Sequence, residues 1–502
     1  MFHSIALTSC GKLFSWGSGH ALGVQQDDGE SGVFNTPVPV HTISVFKTSV
    51  CQIAAGPFHT ICTLYGGDVV SWGAGSGGRL GQGIVHSVVL PKLITNFVGW
   101  VPSHIDDPDV DAETRKFGVA ATHEAVAIQK LQDVHRLKAF SDAYAMVRPE
   151  PLPPITIQPG CSAQAWFRHV QNLSQQEASR IISKMNLPAK IPSDDSVAAL
   201  LWILEPADES GGESQTAPWH VRQVSCGSMH SAVVTHGGCL YVWGCGQSGQ
   251  LGVKVGSATE TNRGEQRKEG GKNLWQPRRV LTNRFFRPVD MVACGYEHTL
   301  AIVQGGECWS WGRGDSGQLG TGRAKDISEP TKVLNIDRGA VHIAAGEDNS
   351  VAVLKDGIVF SWGAATSGKL GLGDGVSSGV QLLPRKVIGI DAPAVSSSCG
   401  PNHSAVIGRD GQVWTFGGGW YGRLGLGTVD NQYHAQLVPE FSGGARCCGE
   451  GRSGALPSVS AVNCGAFHTV FVTMNKELWM CGKGRCVCEQ DNLLRPKRFL
   501  HL

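Results

Sequence analysis

Histidine recurs in this sequence within one short pattern, Gly-x-x-His followed by Thr or Ser. The copies begin at Gly56, Gly227, Gly295, Gly400 and Gly465, a copy at Gly346 has Asn349 in place of the histidine, and a truncated copy, His3-Ser4, opens the chain. A histidine beside a hydroxyl could act as the general base of a nucleophilic reaction. Because almost every copy carries the same residues, we interpret the rings as structural groups that bond the backbone of a neighbouring unit. No Ser-His-Asp or Cys-His set stands apart from the repeats, so we predict no bond-making chemistry and no enzyme.

Glycine patterns that resemble nucleotide-binding loops also recur. Gly-x-Gly-x-x-Gly starts at Gly73, Gly244, Gly312 and Gly417. A dinucleotide site requires a helix after these glycines, whereas each copy here continues into Leu-Gly and further turn sequence. The stretch 363–369 approaches a phosphate-binding loop, but Leu370 stands where a magnesium-binding Ser or Thr is required. We therefore predict no bound nucleotide and no other cofactor.

The sixteen cysteines indicate reduced thiols. Four of them precede a repeated glycine, where a small buried side chain suits close packing: Cys226, Cys294, Cys399 and Cys464. Cys447-Cys448 and Cys486-Val487-Cys488 are too closely spaced, and too short of nearby histidines, for a zinc site. We predict no metal and a reducing setting, cytoplasmic or nuclear.

The elements that carry these residues are short strands in a repeat. Trp-Gly, or a close variant, follows an apolar strand and leads into a glycine-rich turn; its glycine falls at positions 17, 73, 244, 312, 363, 417 and 482. The turns before these strands, such as Gly66-Gly67 and Asp356-Gly357, predict two-residue hairpins of type I′. A strand led by proline and a further apolar run complete each unit. Four strands in each repeat indicate a propeller blade.

Seven copies predict an all-β fold, a seven-bladed β-propeller of four-stranded blades. We expect the two chain ends to share one blade, with His3 to Trp16 at one end and His468 to the Arg495-Pro496-Lys497 strand at the other. Residues 117–128 resemble a decayed Gly-x-x-His strand pair. If that pair is a true blade, the propeller has eight.

The pairing of Trp-Gly…Leu-Gly with Gly-x-x-His-Ser/Thr resembles the regulator-of-chromosome-condensation (RCC1) repeat family. The WD-repeat and kelch propellers lack this pairing of landmarks. The resemblance covers residues 1–95, which hold the first blades, and residues 219–502, which hold the remaining blades and close the ring with the N-terminus. It implies a propeller that engages other proteins through its loops.

Residues 96–218 interrupt the array as an insertion, and its second half has helical sequence signals. Ser174 and Glu177 form a capping-box pattern before one helix, and Ser193 is placed to cap a second. We expect a small helical subdomain that either packs on the rim of the propeller or docks a partner.

The two variable positions of Gly-x-x-His form the candidate binding surface. They occupy equivalent places in each repeat, so we expect them to project from one face. Eight of them make a mixed apolar, aromatic and acidic set: Phe58, Met229, Tyr296, Glu297, Glu347, Asp348, Asn402 and Phe467. Such a mixture suits protein recognition. We therefore predict an interaction scaffold or regulator that holds a partner protein on this face.

The resemblance also implies an alternative function. The nuclear exchange factor of the family engages the GTPase Ran through this loop face, and it works by binding the nucleotide-free GTPase better than the loaded form. By that likeness Glu297, Glu347 and Asp348 are candidates for guanine-nucleotide exchange on a Ran- or Rab-type GTPase. The plant ultraviolet-B photoreceptor of the family carries tryptophan in these loops. None of the six clear copies does, so photoreception is not predicted.

Composition argues against other functional classes. The formal net charge is +1, and this balance is unlike the clustered positive charge of nucleic-acid-binding proteins. No apolar stretch reaches membrane-spanning length, and the chain opens without a secretion signal. The sequence also opens without the basic tail of the nuclear exchange factor, which favours the scaffold. We expect a cytoplasmic or nuclear protein.

Overall fold

The fold is a circular array of small antiparallel sheets. The computed structural model describes residues 3–24, 33–40, 49–65, 67–94, 140–148, 173–184, 221–253, 273–280, 287–336, 339–376, 379–442 and 457–501. Within these ranges 27 strands form seven sheets. The predicted seven-bladed propeller is therefore confirmed. The candidate eighth blade at residues 117–128 lies outside the described residues.

We number the sheets as blades 1 to 7 and name the strand positions A to D from the axis outward. Blade 1 contains β1 (His3–Leu7), β2 (Leu13–Ser18) and β3 (Val33–Pro39), and blade 2 contains β4 (Val50–Ala55), β5 (His59–Leu64), β6 (Val69–Gly73) and β7 (Val88–Leu93). Blade 3 contains β8 (Val221–Cys226), β9 (His230–Thr235), β10 (Leu240–Gly244) and β11 (Leu274–Arg279), and blade 4 contains β12 (Val289–Cys294), β13 (His298–Val303), β14 (Glu307–Gly312) and β15 (Ile327–Lys332). Blade 5 contains β16 (Ala340–Ala345), β17 (Asn349–Leu354), β18 (Val359–Ala364) and β19 (Val380–Lys386). Blade 6 contains β20 (Ala394–Cys399), β21 (His403–Gly408), β22 (Val413–Gly417) and β23 (Gln432–Leu437), and blade 7 contains β24 (Val459–Cys464), β25 (His468–Thr473), β26 (Glu477–Gly482) and β27 (Leu493–His501).

Strand A of each complete blade lies nearest the propeller axis. β4, β8, β12, β16, β20 and β24 contact one another in turn around it. Strand B is covered on both sides by neighbouring blades, so every residue of β5, β9, β13 and β21 is buried. Blade 1 has three described strands, and β1 takes position B because it carries the His3-Ser4 pair.

The hairpins between strands B and C differ from the prediction. In blade 5 the amide of Gly357 donates to the carbonyl of Leu354, and the amide of Leu354 donates to the carbonyl of Ile358. The loop therefore has three residues, and only Gly357 has a positive φ, 85°. The predicted type I′ turn is wrong here. A type I turn followed by one left-handed glycine closes the hairpin, and it needs only one residue with positive φ.

The two landmarks of the repeat meet at the four boundaries from blade 1 to blade 5. The indole Nε1–H of Trp72 donates to the carbonyl of Ala21 (2.9 Å), the residue before Leu-Gly in the preceding blade. The same bond joins Trp243 to Arg79, Trp311 to Gln250 and Trp362 to Gln318, at 2.8–2.9 Å. The glycine of Leu-Gly is required because the indole of the next blade packs directly on it. A Cβ at Gly81 would lie 2.8 Å from Nε1 of Trp243. Trp-Gly and Leu-Gly recur together because they are the two sides of one contact.

The histidines of Gly-x-x-His make a second contact between blades. Each ring reaches the Ser or Thr after the histidine position of the next blade, and the pairs are His3–Thr60, His59–Ser231, His230–Thr299, His298–Ser350, His403–Thr469 and His468–Ser4, at 2.7–3.0 Å. The rings bond the neighbouring blade, as predicted. The prediction that the rings bond the backbone of that blade is wrong. The amides and carbonyls of strand B are already paired within their own sheet, so the rings bond side-chain hydroxyls instead.

The hydroxyl partner determines which nitrogen of the neutral ring carries the hydrogen. The hydroxyl of Thr299 donates to the carbonyl of Gln250 (2.8 Å), so it accepts its second bond from Nε2–H of His230. Nδ1 of His230 and Nδ1 of His298 are buried without a hydrogen-bond partner among the described residues. Burial lowers the pKa of both rings to about 3, and they are neutral at physiological pH.

The glycine of Gly-x-x-His is required by the same ring. A Cβ at Gly295 would lie 2.2 Å from Cε1 of His298, and one at Gly465 would lie 2.3 Å from Cε1 of His468. Any larger residue would displace the imidazole from its partner on the next blade.

The circle of histidine bonds is interrupted once. Asn349 of blade 5 stands at the histidine position and is fully buried, and its amide meets the thiol of Cys399 but makes no hydrogen bond to a hydroxyl of blade 6. Ser404, the expected partner in blade 6, keeps its own bond to the carbonyl of Lys369 (3.0 Å). The boundary between blades 5 and 6 therefore lacks a bond that the other boundaries have.

The ring closes between blade 7 and blade 1 through the same kinds of contact. Nε2 of His468 lies 2.9 Å from the hydroxyl of Ser4, and Nε1–H of Trp16 donates to the carbonyl of Cys486 (3.1 Å). β1–β3 and β24–β27 belong to separate sheets. The predicted shared blade is wrong, because the C-terminal strands already occupy all the positions of blade 7.

Two parts of the insertion at 96–218 are described. Residues 140–145 are helical, and helix α1 spans Gln175–Lys184. The predicted capping box is confirmed: the carboxylate of Glu177 accepts from the amide of Ser174 (2.8 Å), and the amide of Glu177 donates to the hydroxyl of Ser174 (3.3 Å).

The second helix, predicted after Ser193, lies outside the described residues. In the ranges that are described, no helix is long and apolar enough to cross a membrane. No group of three or more His, Cys, Asp or Glu residues there is arranged to hold a metal ion. The cysteines described are free thiols.

Acidification should destabilise the propeller. Burial lowers the pKa of His230 and His298 to about 3 and that of His3 and His468 to about 4, whereas an unfolded histidine titrates near about 6.5. The unfolded chain therefore binds more protons, so stability is full above pH ~6.5 and falls as the pH is lowered toward ~4. Each such ring lowers the free energy of unfolding by up to about 1.4 kcal/mol per pH unit. Denaturant midpoints measured from neutral to acidic pH test this, and a constant midpoint contradicts buried neutral rings.

Completing the histidine circle should stabilise the fold. Asn349→His supplies an Nε2–H donor opposite Ser404, and we expect the free energy of unfolding to rise by about 1 kcal/mol. The matched variant His298→Asn copies the natural interruption at another boundary. It should lower the free energy of unfolding by about 1–3 kcal/mol, because it leaves a buried amide unpaired. Denaturant midpoints measure both changes, and a less stable Asn349→His would show that this boundary excludes the imidazole.

Candidate partner-binding face

Two sets of loops lie at one end of the propeller. The loops between strands A and B carry Gly-x-x-His, and the loops between strands C and D run from Trp-Gly to Leu-Gly. Because successive strands are antiparallel, both sets lie at the same end, and the B–C turns and D–A connections lie at the other. We call the end with the A–B and C–D loops the loop face.

The structure places all eight predicted site residues in the A–B loops of this face. They are distributed over six blades: Phe58 in blade 2, Met229 in blade 3, Tyr296 and Glu297 in blade 4, Glu347 and Asp348 in blade 5, Asn402 in blade 6 and Phe467 in blade 7. Tyr296 is 36% exposed and Glu347 is exposed, whereas the others are partly buried. Residues of adjacent blades are neighbours, so the set forms an arc around the axis.

Buried cations tie C–D loops to the A–B loops of the next blade. The side chains donate to backbone carbonyls in three pairs, Arg79 to Ser228 (2.8 Å), Lys369 to Pro401 (3.1 Å) and Arg423 to Ala466 (2.7 Å). None of the three cations is more than 4% exposed. Sequence analysis missed them. Their signal was available, because each stands directly before Leu-Gly.

The acidic part of the loop face begins in blade 4. Arg313 holds Asp315 through two bonds, Nη2 to Oδ2 (2.8 Å) and Nε to Oδ1 (2.9 Å), and its Nη1 lies 3.4 Å from Glu297. These bonds lower the pKa of Asp315 and raise that of Arg313. The carboxylate of Glu297 is thus partly neutralised.

Blade 5 continues the acidic part. Asp348 forms an ion pair with the buried ammonium of Lys369. Glu347 forms no ion pair with a described residue. Although Glu347 is exposed as a whole residue, neighbouring atoms partly desolvate its carboxylate. This desolvation and, next, the neighbouring charge of Asp348 raise the pKa of Glu347. Glu347 is therefore the predicted acidic residue most available to a partner.

Blades 6 and 7 carry aromatic rings and cations. Tyr421, in the C–D loop of blade 6, packs edge-to-face on Phe467 with ring centres 5.5 Å apart. Nζ of Lys483 lies 5.1 Å from the ring centre of Tyr421 and 5.2 Å from that of Phe467. Trp420 is 59% exposed, and its ring lies 5.8 Å from the guanidinium of Arg423. We call Trp420, Tyr421, Phe467 and Lys483 the aromatic–cationic cluster.

The apolar part of the loop face lies in blades 2 and 3. The guanidinium of Arg79 lies 5.2 Å from the ring centre of Phe58. The terminal methyl of Met229 lies against the C–D loop of blade 2, 3.3 Å from where a Cβ of Gly77 would stand. The loop face therefore changes from apolar to acidic to aromatic and cationic around the ring.

A family model and curated proteins match the chain. The family model described as the RCC1-like domain matches residues 205–454. The probable E3 ubiquitin-protein ligase HERC6 of Homo sapiens is 30% identical over 253 residues, which are 49% of this chain and 22% of that protein. The ultraviolet-B receptor UVR8 of Arabidopsis thaliana is 29% identical over 262 residues, which are 52% of each chain. This chain thus spans 22% of the first relative and 52% of the second.

Solved structures share the fold. Human WBSCR16 has a TM-score of 0.60 and 20% identity, with 97% of this chain and 94% of that chain covered. Prp20p of Saccharomyces cerevisiae, described with its binding to Gsp1p and histones, has a TM-score of 0.60 and 17% identity, with 99% and 87% covered. At these identities the likeness shows the fold alone.

Removing a buried cation should loosen the loop that it holds. Arg423→Ala deletes the bond to the carbonyl of Ala466, and we expect the free energy of unfolding to fall by about 1.5–3 kcal/mol. Amide hydrogen exchange in the loop 465–468 should become faster. Gln318→Ala is the matched control, because that side chain accepts from Ser316 within its own loop (3.0 Å). It should leave exchange in the loop 346–349 unchanged, and unchanged exchange at 465–468 in Arg423→Ala would contradict the anchoring role.

Proposed function

The chain belongs to the regulator-of-chromosome-condensation repeat family, and from this we propose that it is a scaffold or regulator whose loop face binds a partner protein. One observation carries the proposal. Apolar, aromatic and acidic side chains occupy equivalent positions on one end of six adjacent blades. Such a surface provides aromatic contacts for affinity and carboxylates for specificity.

The frame beneath the face supports the proposal. Buried bonds between blades and the anchoring cations hold the A–B loops before any partner arrives. A preorganised surface loses little conformational entropy on binding, so more of the contact energy is realised as affinity.

The buried histidines favour a role without bond-making chemistry. The ring of His230 is fully buried, and its donor is already used by Thr299. Its pKa of about 3 leaves it neutral, so it is not poised to exchange a proton near pH ~7. HERC6 is named as a ligase, but this chain spans 22% of that protein. We propose that this chain supplies recognition in the cytoplasm or nucleus.

Guanine-nucleotide exchange is the second candidate function. The observation that favours it is the pair of carboxylates, Glu297 and Glu347, on the adjacent blades 4 and 5. A small GTPase that binds this face better without its nucleotide than with it would release the nucleotide faster. Prp20p, described as binding Gsp1p, is similar in fold.

Charge reversal on blades 4 and 5 tests the use of the face. Glu297→Lys combined with Glu347→Lys changes its acidic part, and Asp348 is kept because it pairs with buried Lys369. The matched control is Asp391→Lys, an exposed position in the D–A connection at the opposite end. In proximity labelling with the full chain, we expect the double variant to label its partners at least about tenfold less than the control. Equal labelling by the two variants would refute binding through this part of the face.

Release of fluorescent GDP from a panel of small GTPases separates the two candidate functions. Accelerated release that the double variant loses and the Asp391→Lys control retains indicates exchange. Binding without acceleration indicates the scaffold.

A further inference from the structure

The aromatic–cationic cluster distinguishes blades 6 and 7 from the rest of the loop face. In four other C–D loops small or polar residues occupy the places of Trp420 and Tyr421, and these pairs are Ser76-Gly77, Gln247-Ser248, Asp315-Ser316 and Thr366-Ser367. The geometry of a blade therefore does not require an aromatic pair here. An exposed tryptophan on a loop is also a frequent central contact of protein interfaces.

Tyr421 stands where the backbone favours glycine. Its φ is 64°, while the equivalent Gly77 of blade 2 has a φ of 73°. A bulky residue with positive φ is strained, and such strain concentrates at functional positions. The ring of Tyr421 nevertheless remains there and packs on Phe467 of the next blade. The conformation of the turn therefore does not explain why a tyrosine stands at position 421.

The cations at this site have no carboxylate among the described residues. Lys483 meets the faces of two rings, and Arg423 donates to the backbone carbonyls of Gly418 (2.7 Å) and Ala466 (2.7 Å). On blade 5, by contrast, the buried Lys369 is paired with a carboxylate. An ammonium held over rings keeps donors for an anion, and partial desolvation strengthens its attraction to one.

We propose that the aromatic–cationic cluster docks an extended segment of a partner protein in which a carboxylate neighbours an apolar or aromatic side chain. The carboxylate binds the ammonium of Lys483, and the apolar group stacks on the exposed ring of Trp420. Tyr421 and Phe467 hold the ammonium of Lys483 in place for that carboxylate. This inference rests on the proposed scaffold function and names the chemistry of its partner.

Selection of short peptides from a random display library, with the full chain as target, tests the proposal. We expect enrichment of peptides in which Asp or Glu stands beside an apolar or aromatic residue. Calorimetry with a selected synthetic peptide should show affinity at least about tenfold weaker for Trp420→Ala and for Lys483→Gln. Trp420→Phe and Lys483→Arg should retain most of the affinity, because they keep the ring and the charge.

Tyr421→Gly separates binding from folding. Glycine relieves the positive φ at this position and removes the ring. We expect weaker binding together with an equal or higher unfolding midpoint, a combination that a folding defect cannot produce.

Three results would overturn the assignment of the cluster. They are enrichment of basic peptides, failure to enrich any class, and affinity that Trp420→Ala leaves unchanged. Tighter binding when a phosphoserine replaces the acidic residue of the selected peptide would also overturn it, in favour of a phosphopeptide site.

Proximity labelling distinguishes failure of this inference from failure of the scaffold function. If Glu297→Lys with Glu347→Lys loses partners while Trp420→Ala retains all of them, the scaffold stands and the cluster assignment is overturned. If Trp420→Ala also loses partners that the control Asp391→Lys retains, the assignment is supported. If neither variant loses any partner, both proposals are overturned.

Discussion

The structure depends on one repeated contact, in which blades 2 to 5 each direct an indole N–H and a hydroxyl at the same carbonyl of the preceding blade. The hydroxyl bond continues in blades 6 and 7, where Phe416 and Cys481 stand in place of the tryptophan. At the boundary of blades 3 and 4 the acceptor is the carbonyl of Gln250, the donors are Trp311 and Thr299, and His230 adds a bond to Thr299. A carbonyl oxygen has two lone pairs, so it satisfies both donors. Each donor would cost about 1–3 kcal/mol if it were buried unpaired. These buried bonds therefore fix how each blade packs on the preceding one.

This contact separates the residues that a blade must keep from those that it can vary. The glycine and histidine of Gly-x-x-His, the tryptophan and Leu-Gly are all engaged between blades. The two positions between glycine and histidine make none of these bonds, and except for the buried Ser228 their residues are at least partly exposed. Glu347 and Tyr296 thus occupy the same backbone place with different chemistry, and the C–D loops vary in the same way, as Trp420 shows. A rigid frame with variable loops provides a surface that can change without loss of the fold.

The parts of the fold that were predicted correctly depend on local signals. The Trp-Gly period gave the blade count, and the spacing of Ser174 and Glu177 gave a capping box, because each pattern lies within one strand pair or one helix turn. The wrong predictions concern features that depend on contacts outside the local sequence. The loop at Gly357 contains the expected glycine, but the strands beside it select a three-residue turn. The expected sharing of a blade between the chain ends failed because β27 already completes blade 7.

By itself, the sequence determined the propeller, the end of it that carries the Gly-x-x-His loops, and the eight residues on those loops, because repetition places equivalent residues in equivalent positions. Only the tertiary structure decided which side chains meet. Ser4 and His468 are 464 positions apart and become partners when the ring closes. Tyr421, Phe467 and Lys483 come from three different loops, and they form one cluster because blades 6 and 7 are neighbours in space. A linear pattern contains no information on such pairings, since the packing of one blade against the next creates them.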